Sequence, residues 1–255
     1  VHSEIGYWNV AYHHGAWLQL SVDRPRTISF EDEGGFLPIH YAGIFAGARP
    51  RVGPGWLSLH IGAANGRGNN NDDVRVVNDT NPAKALLAGV EYEGLGLPNL
   101  HLGASAVFDW IAPVDATLRP SLPDTPMREM IFSGYVAYLD DVLTLIGEGH
   151  HVRHTAAGQA WGTSGAYALV GYRFGVVTPY ARFEWIDPSW PTPDPFYVPD
   201  PTAPLTPVDD LVEAVSGIRV ETTEWSALKL EYRYAHFLET NQYEHLVVAN
   251  WSFGI

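Results

Sequence analysis

Cysteine is absent from this 255-residue chain and methionine occurs only twice. Without cysteine there is no disulfide framework, no thiolate metal site and no thiol catalysis. Positive charge is scarce: 15 Lys and Arg stand against 29 Asp and Glu, a formal net charge of −14. So acidic a chain is not expected to take nucleic acid as a partner, because neutralising phosphates takes a basic face. No apolar run approaches the roughly 20 residues of a membrane-spanning helix. A spanning β-strand needs only about 9–11 residues of alternating character, so that route into a membrane stays open. The chain begins at Val1 with no initiator Met and no signal-peptide pattern, which suggests a removed leader or a fragment.

What is present is 46% hydrophobic and 13% aromatic residues, too much apolar surface for a disordered acidic chain. Helical periodicity is nearly missing, and alternation at period 2 recurs instead. In 164–174 one side carries Ala166, Ala168, Val170, Tyr172 and Phe174. In 177–187 one side carries Val177, Ala181, Phe183 and Trp185 against Thr178, Tyr180, Arg182 and Glu184. The pattern predicts strands at 35–49, 55–65, 83–93, 99–110, 128–140, 141–153, 163–174, 176–187, 209–222, 224–237 and 243–254. The connections alternate short and long, the longer ones near 65–82, 112–126, 155–162 and 188–208. Short turns on one side and long loops on the other are the habit of outer-membrane barrels. Rings gather toward strand ends on the apolar side, with Ala, Val and Leu between them, as aromatic girdles around a lipid band would require. The expectation is therefore an all-β fold, a transmembrane antiparallel β-barrel of about twelve strands forming a single domain over 1–255. A soluble or surface β-sandwich that binds carbohydrate on exposed Trp and Tyr is the alternative, since sandwich strands also alternate.

By parity, the water-facing side includes Arg173, Arg182, Arg219, Lys229 and Arg233, interleaved with Glu184 and Glu231. Glu91, Asp109, Glu148, Glu221 and Glu244 fall on the same side. Interleaved charges can pair across strands and tie the wall together. They can also set a field that biases passing solutes. On the second reading, replacing Arg182 changes ion selectivity at little cost to folding. His150, His151 and His154 fall at a strand end, where solvation at the rim is expected.

The run Gly6-Tyr7-Trp8-Asn9, Tyr12-His13-His14-Gly15, Trp17-Leu18-Gln19, then Phe30-Glu31-Asp32-Glu33-Gly34-Gly35 and Leu37-Pro38-Ile39-His40, resembles bacterial porin-type channels. The nearest group is the phosphate-selective porin O/P family. The resemblance implies a bacterial outer-membrane channel for passive diffusion of small hydrophilic solutes or ions. It also implies that 9–34 is a loop folded into the pore, between a strand ending near Trp8 and one starting at Gly35. Candidate residues at that constriction are His13, His14, Arg24, Arg26, Glu31, Asp32 and Glu33. In sixteen-stranded porins eleven strands follow such a loop, so the resemblance implies a C-terminal part of a larger barrel. A complete twelve-stranded barrel is the alternative, as even-numbered closure permits. The last residue is Ile255 where these barrels usually carry a ring.

Partners expected are membrane lipid and lipopolysaccharide, small hydrophilic solutes and, in a homotrimer, further copies of the chain. A barrel that serves as a non-conducting sleeve for another component is a third reading. Acidic stretches at 69–73 and 188–210 suggest loops that bridge divalent cations to lipopolysaccharide phosphates. No enzyme, cofactor or resident metal is expected: Gly66-Arg67-Gly68 opens no helix, and no Gly-x-Ser-x-Gly elbow occurs. His13 and His14 have no third ligand at fixed spacing.

Overall fold

The computed structural model describes residues 5–12, 17–30, 33–68, 82–113, 124–189, 192–197 and 208–254. Among the described residues a short helix, α1 (Tyr7–Tyr12), and a 3-10 turn (Arg26–Ile28) precede the strands. Then come β1 (Gly43–Ala48), the two-residue β2 (Arg51–Val52), β3 (Gly55–Asn65), β4 (Lys84–Glu93), β5 (Leu100–Ile111) and β6 (Met127–Leu139). The remainder are β7 (Leu143–Ala156), β8 (Gln159–Tyr172), β9 (Val177–Asp187), β10 (Leu211–Thr223), β11 (Ser226–Phe237) and β12 (Gln242–Phe253). All twelve belong to one antiparallel sheet in which chain neighbours are also spatial neighbours, β2 pairing only with β3. The sheet is open, with β1 and β12 at its edges. It is a single sheet and not the two packed layers of a sandwich.

Alternation reports the strands well because those from β4 to β11 each have one face more buried than the other. The long connections 66–83, 112–126 and 188–210 share one side of the sheet with two tight turns. The longer connection expected near 155–162 does not form. Strands β7 and β8 run on to an Ala156–Gln159 pair, and Ala157 and Gly158 turn the chain at φ 48° and 79°. Positive φ at both positions matches the twist of the flanking strands.

Two expectations near the N-terminus are corrected. The segment around Trp8 is helical, not a strand. The strand expected at 35–49 shrinks to β1, because Phe36, Leu37, Ile39 and Tyr41 are all buried. Burial at both parities, with Pro38 among them, suits a chain enclosed on every side better than a ladder with one wet face.

Segments 5–12, 17–30 and 33–41 lie against one face of the sheet, which we call the inner face. Trp8 backbone N–H donates to Glu148 on β7. Arg67, just past β3, donates to the Phe36 carbonyl, and Phe36 sits edge-on to His150 of β7. Arg26 meets Glu213 on β10 and lies 4.0 Å from Glu244 on β12. A sheet touched from β7 to β12 by one N-terminal region must curl around it. Two glycines shape this face: a Cβ at Gly103 would strike Tyr135, and one at Gly217 would strike Tyr180. Each ring passes close over its glycine and donates its hydroxyl to a glutamate, Glu91 and Glu231 respectively.

The outer face is apolar along the strands. Leu59, Ile61, Leu86, Val90, Phe108, Trp110, Phe132 and Val136 are exposed there, as are Leu145, Val170, Phe183, Leu228, Leu230, Val247 and Trp251.

Candidate functional site: the inner face

On the inner side of β9, β10 and β11 the charged residues form a dense ladder. Arg182 Nε donates to Glu184 at 2.7 Å, and its Nη2 stands 3.6 Å from Glu213. Arg219 Nε donates to Glu221 at 2.8 Å. Arg233 bridges Glu231 and Asp23, each at 2.5 Å. The residues are neighbours because the register places Arg182 opposite Val215, Arg219 opposite Lys229, and Val215 opposite Arg233.

Segment 17–30 completes the ladder with its backbone. Arg219 donates to the carbonyls of Trp17 (2.5 Å) and Gln19 (2.9 Å). Lys229 donates to those of Gln19 (2.8 Å) and Ser21 (3.0 Å), and Arg182 to that of Asp23 (3.0 Å). In return the Val22 N–H donates to Glu231 at 3.0 Å. A chain with no ladder of its own thus finds partners for its carbonyls in side-chain cations. Lys229 and Glu231 are wholly enclosed as a result, and Arg182 is 2% exposed. Wall charges expected to face water face this segment instead.

The other residues expected at the site are placed as follows. Arg173 is exposed at the β8–β9 turn, its guanidinium donating to the Gly175 carbonyl, and it does not join the wall. Arg26 reaches Glu213, at 2.9 Å. Arg24 lies over the Phe30 ring and donates to the Ile28 carbonyl, within its own segment. Glu33 is exposed. His13, His14, Glu31 and Asp32 lie outside the described residues, as do 69–73 with their acidic groups.

A second cluster escaped sequence reasoning. Asp109, Glu129 and His154 occupy one continuous row across β5, β6 and β7. Arg67 Nε is 3.0 Å from Glu129, and its backbone N–H donates to Asp109. His154 has its ring nitrogens 2.9 Å from Glu129 and 2.7 Å from Asp194. Asp194, Phe196 and Tyr197 are fully buried, so this part of the 188–210 connection closes over the row. His150 and His154 are consequently buried, not solvated at a rim, and Asp194 is not offered to solvent cations. The available signal was an inward row of Asp, Glu and His on three adjacent strands.

Between β1 and β6 the inner face keeps open space. A cavity of about 360 Å³ is lined by Val10, Arg49, Ser58, His60, Glu91 and Tyr135, among others. Beside it Glu91, Glu93 and His101 bring one ligand atom each within 4.8 Å of one another. Arg49 pairs with Glu93, and Tyr135 donates to Glu91. Tyr7 packs on the rings of His101 and Tyr135, at centroid distances of 5.6 and 5.4 Å. Burial pushes the Tyr7 hydroxyl above its ordinary range and carries that of Tyr12 up to about 12, so both stay protonated donors. Nearer the long connections, burial raises Asp209 even though Arg26 pulls it down.

The arrangement offers a charged interior, largely neutralised by an enclosed chain segment on one half and retaining a polar cavity on the other. Comparison of the chain with protein-family models and with curated proteins finds no match.

Proposed function

We propose that the protein is an outer-membrane β-barrel channel that gives passive passage to small hydrophilic solutes or ions. One observation carries the reading, the reversed polarity of the sheet. Its outer face is apolar from β3 to β12, while its enclosed face holds Asp109, Glu129, Glu148, Arg182, Glu184, Glu213, Lys229 and Glu231. A protein in water keeps charge outside, whereas a barrel in lipid does the opposite. The dimensions agree. Ten residues separate Arg128 from Tyr138 on β6, and ten separate Gly162 from Tyr172 on β8. At about 3.3 Å per residue and a tilt of about 40°, that is an apolar band about 25 Å tall. Hydrocarbon tolerates no unpaired strand edge, so the reading requires β1 and β12 to be joined to each other or through further strands.

Within that barrel, segment 17–30 narrows the β9–β11 half, and solutes take the polar cavity beside Arg49, His60 and Glu91. The test is reconstitution into planar lipid bilayers with recording of single-channel currents. Discrete conductance steps whose ion preference shifts in Glu91→Gln are expected. Protein that stays in the aqueous phase without detergent would refute the membrane placement. Insertion without conductance would favour a second reading, a sealed sleeve. That reading has its own observation: Trp8, Ile28, Phe36, Leu37 and Ile39 are 0% exposed, as in a solid core.

A further inference from the structure

Two arginines on the outer face are at odds with the rest of that face. Arg128 on β6 and Arg153 on β7 are both exposed, on the outer side, at the end nearest the long connections. The register sets Arg128 opposite Thr155 and Met130 opposite Arg153, so the two cations are diagonal neighbours. Such positions lie about 7–8 Å apart, close enough for one small anion to bridge them. Neither makes an ion pair among the described residues, although Asp and Glu outnumber Lys and Arg by 29 to 15. Arg128 Nε donates to the Thr155 hydroxyl at 3.3 Å. That bond engages Nε alone, on a residue that is exposed. Adjacent like charges repel, so this placement gains nothing for the fold by itself.

What lies beneath them is equally specific. Toward mid-sheet the outer face carries the row Phe132, His151 and Ser164, with the His151 ring bonded to the Ser164 hydroxyl, and then a row of Gly134, Gly149 and Ala166 in direct register. Three residues with little or no side chain leave a shallow shelf, separated from the arginines by Phe132, which is 44% exposed, and His151 opposite it. A dianionic group above and hydrocarbon below is the chemistry of a phosphorylated lipid headgroup with its acyl chains. The arginines also stand at the level where an outer-leaflet headgroup would sit, one apolar band away from Tyr138 and Tyr172.

We propose that Arg128 and Arg153, with the Gly134–Gly149–Ala166 shelf, form a binding site for the phosphate of an outer-leaflet glycolipid of the lipid A type. This rests on the membrane reading above. Arg guanidinium suits the role, since its planar fork matches phosphate oxygens.

The experiment uses the full chain in lipid nanodiscs, titrated with bisphosphorylated hexa-acyl lipid A and followed by native mass spectrometry. The comparison protein is the Arg128→Gln/Arg153→Gln double variant, with Arg128→Lys/Arg153→Lys as a charge-retaining control. Binding by the Gln variant is expected to be about thirtyfold weaker, with the Lys variant between the two. Dephosphorylated lipid A should bind both proteins equally weakly, and millimolar inorganic phosphate should not displace the lipid. Equal lipid A affinity in wild type and the Gln variant would overturn the proposal, as would full competition by free phosphate. Both proteins are checked for vesicle insertion and unfolding midpoint. Failure of both to insert sinks the membrane reading itself, whereas insertion with unchanged lipid A affinity sinks this site alone.

Discussion

Replacing Arg182 by Met is the perturbation whose outcome depends most directly on the enclosed N-terminal segment. The guanidinium has three partners: Glu184 at 2.7 Å, Glu213 at 3.6 Å and the Asp23 carbonyl at 3.0 Å. Methionine fills similar volume but leaves buried Glu184 without its cation, while Glu213 keeps Arg26 at 2.9 Å. Removing one partner of a buried charge cluster costs about 3–5 kcal/mol, mostly from stranding the remaining charge. The Asp23 bond adds about 1 kcal/mol. Urea unfolding in detergent, followed through the emission of the nine tryptophans, would measure the loss as a lower midpoint at unchanged slope. The double variant Arg182→Met/Glu184→Gln removes the stranded charge along with its cation and leaves the Arg26–Glu213 pair in place. It should return to within about 2 kcal/mol of wild type. A loss below about 1 kcal/mol in the single variant would mean that Arg182 is hydrated and that segment 17–30 is not seated on it. Sequence alone suggested a selectivity change with little folding cost; the bond to Asp23 turns Arg182 into a stability residue first.

Val170, 44% exposed on the outer side of β8, tests the opposite face. Val170→Arg should cost about 2–4 kcal/mol when unfolding is measured from lipid vesicles, and an unchanged stability there would argue that this face does not meet hydrocarbon. Asp140, in the β6–β7 turn, accepts from the backbone N–H groups of Val142 (2.8 Å) and Leu143 (2.6 Å) and from the Tyr138 hydroxyl. These donors hold its carboxyl below its ordinary value of 3.8, so its contribution is complete above that pH and fades as pH falls through the lowered value. Hydrogen-exchange protection of Val142 and Leu143 should therefore be flat from pH 7 to about 5 and drop only in strong acid. Asp140→Asn should lack that acid step; a variant that keeps it would assign the step to another group.

Strand positions were legible because alternation is imposed residue by residue: β9, expected at 176–187, spans Val177–Asp187. Which charges share a face was legible for the same reason, since Arg182, Arg219, Lys229 and Arg233 follow parity alone. Parity says nothing about what covers a face. Lys229 bonds carbonyls about two hundred positions away, and no local pattern announces that. The stretch at 35–41 misled because its apolar residues resemble a strand until both parities prove buried. Arg173 misled because parity continued past the last ladder residue, Tyr172, into a turn. His154 misled because a strand end was equated with water, while Asp194 closes over it.

The meander order has a consequence for how the molecule forms. Every strand in the main path can zip onto a neighbour already made, by closing only the connection that joins the two. The Val22–Glu231 bond instead spans 209 positions, and its acceptor acquires a fixed place only after β10 and β11 have joined. The early amino end must therefore wait for nearly the whole chain before its own seat exists. Until then the inner cations and carboxylates remain hydrated, and the cost of drying them falls in one late step. Slow maturation after rapid strand assembly is the kinetic signature this topology imposes.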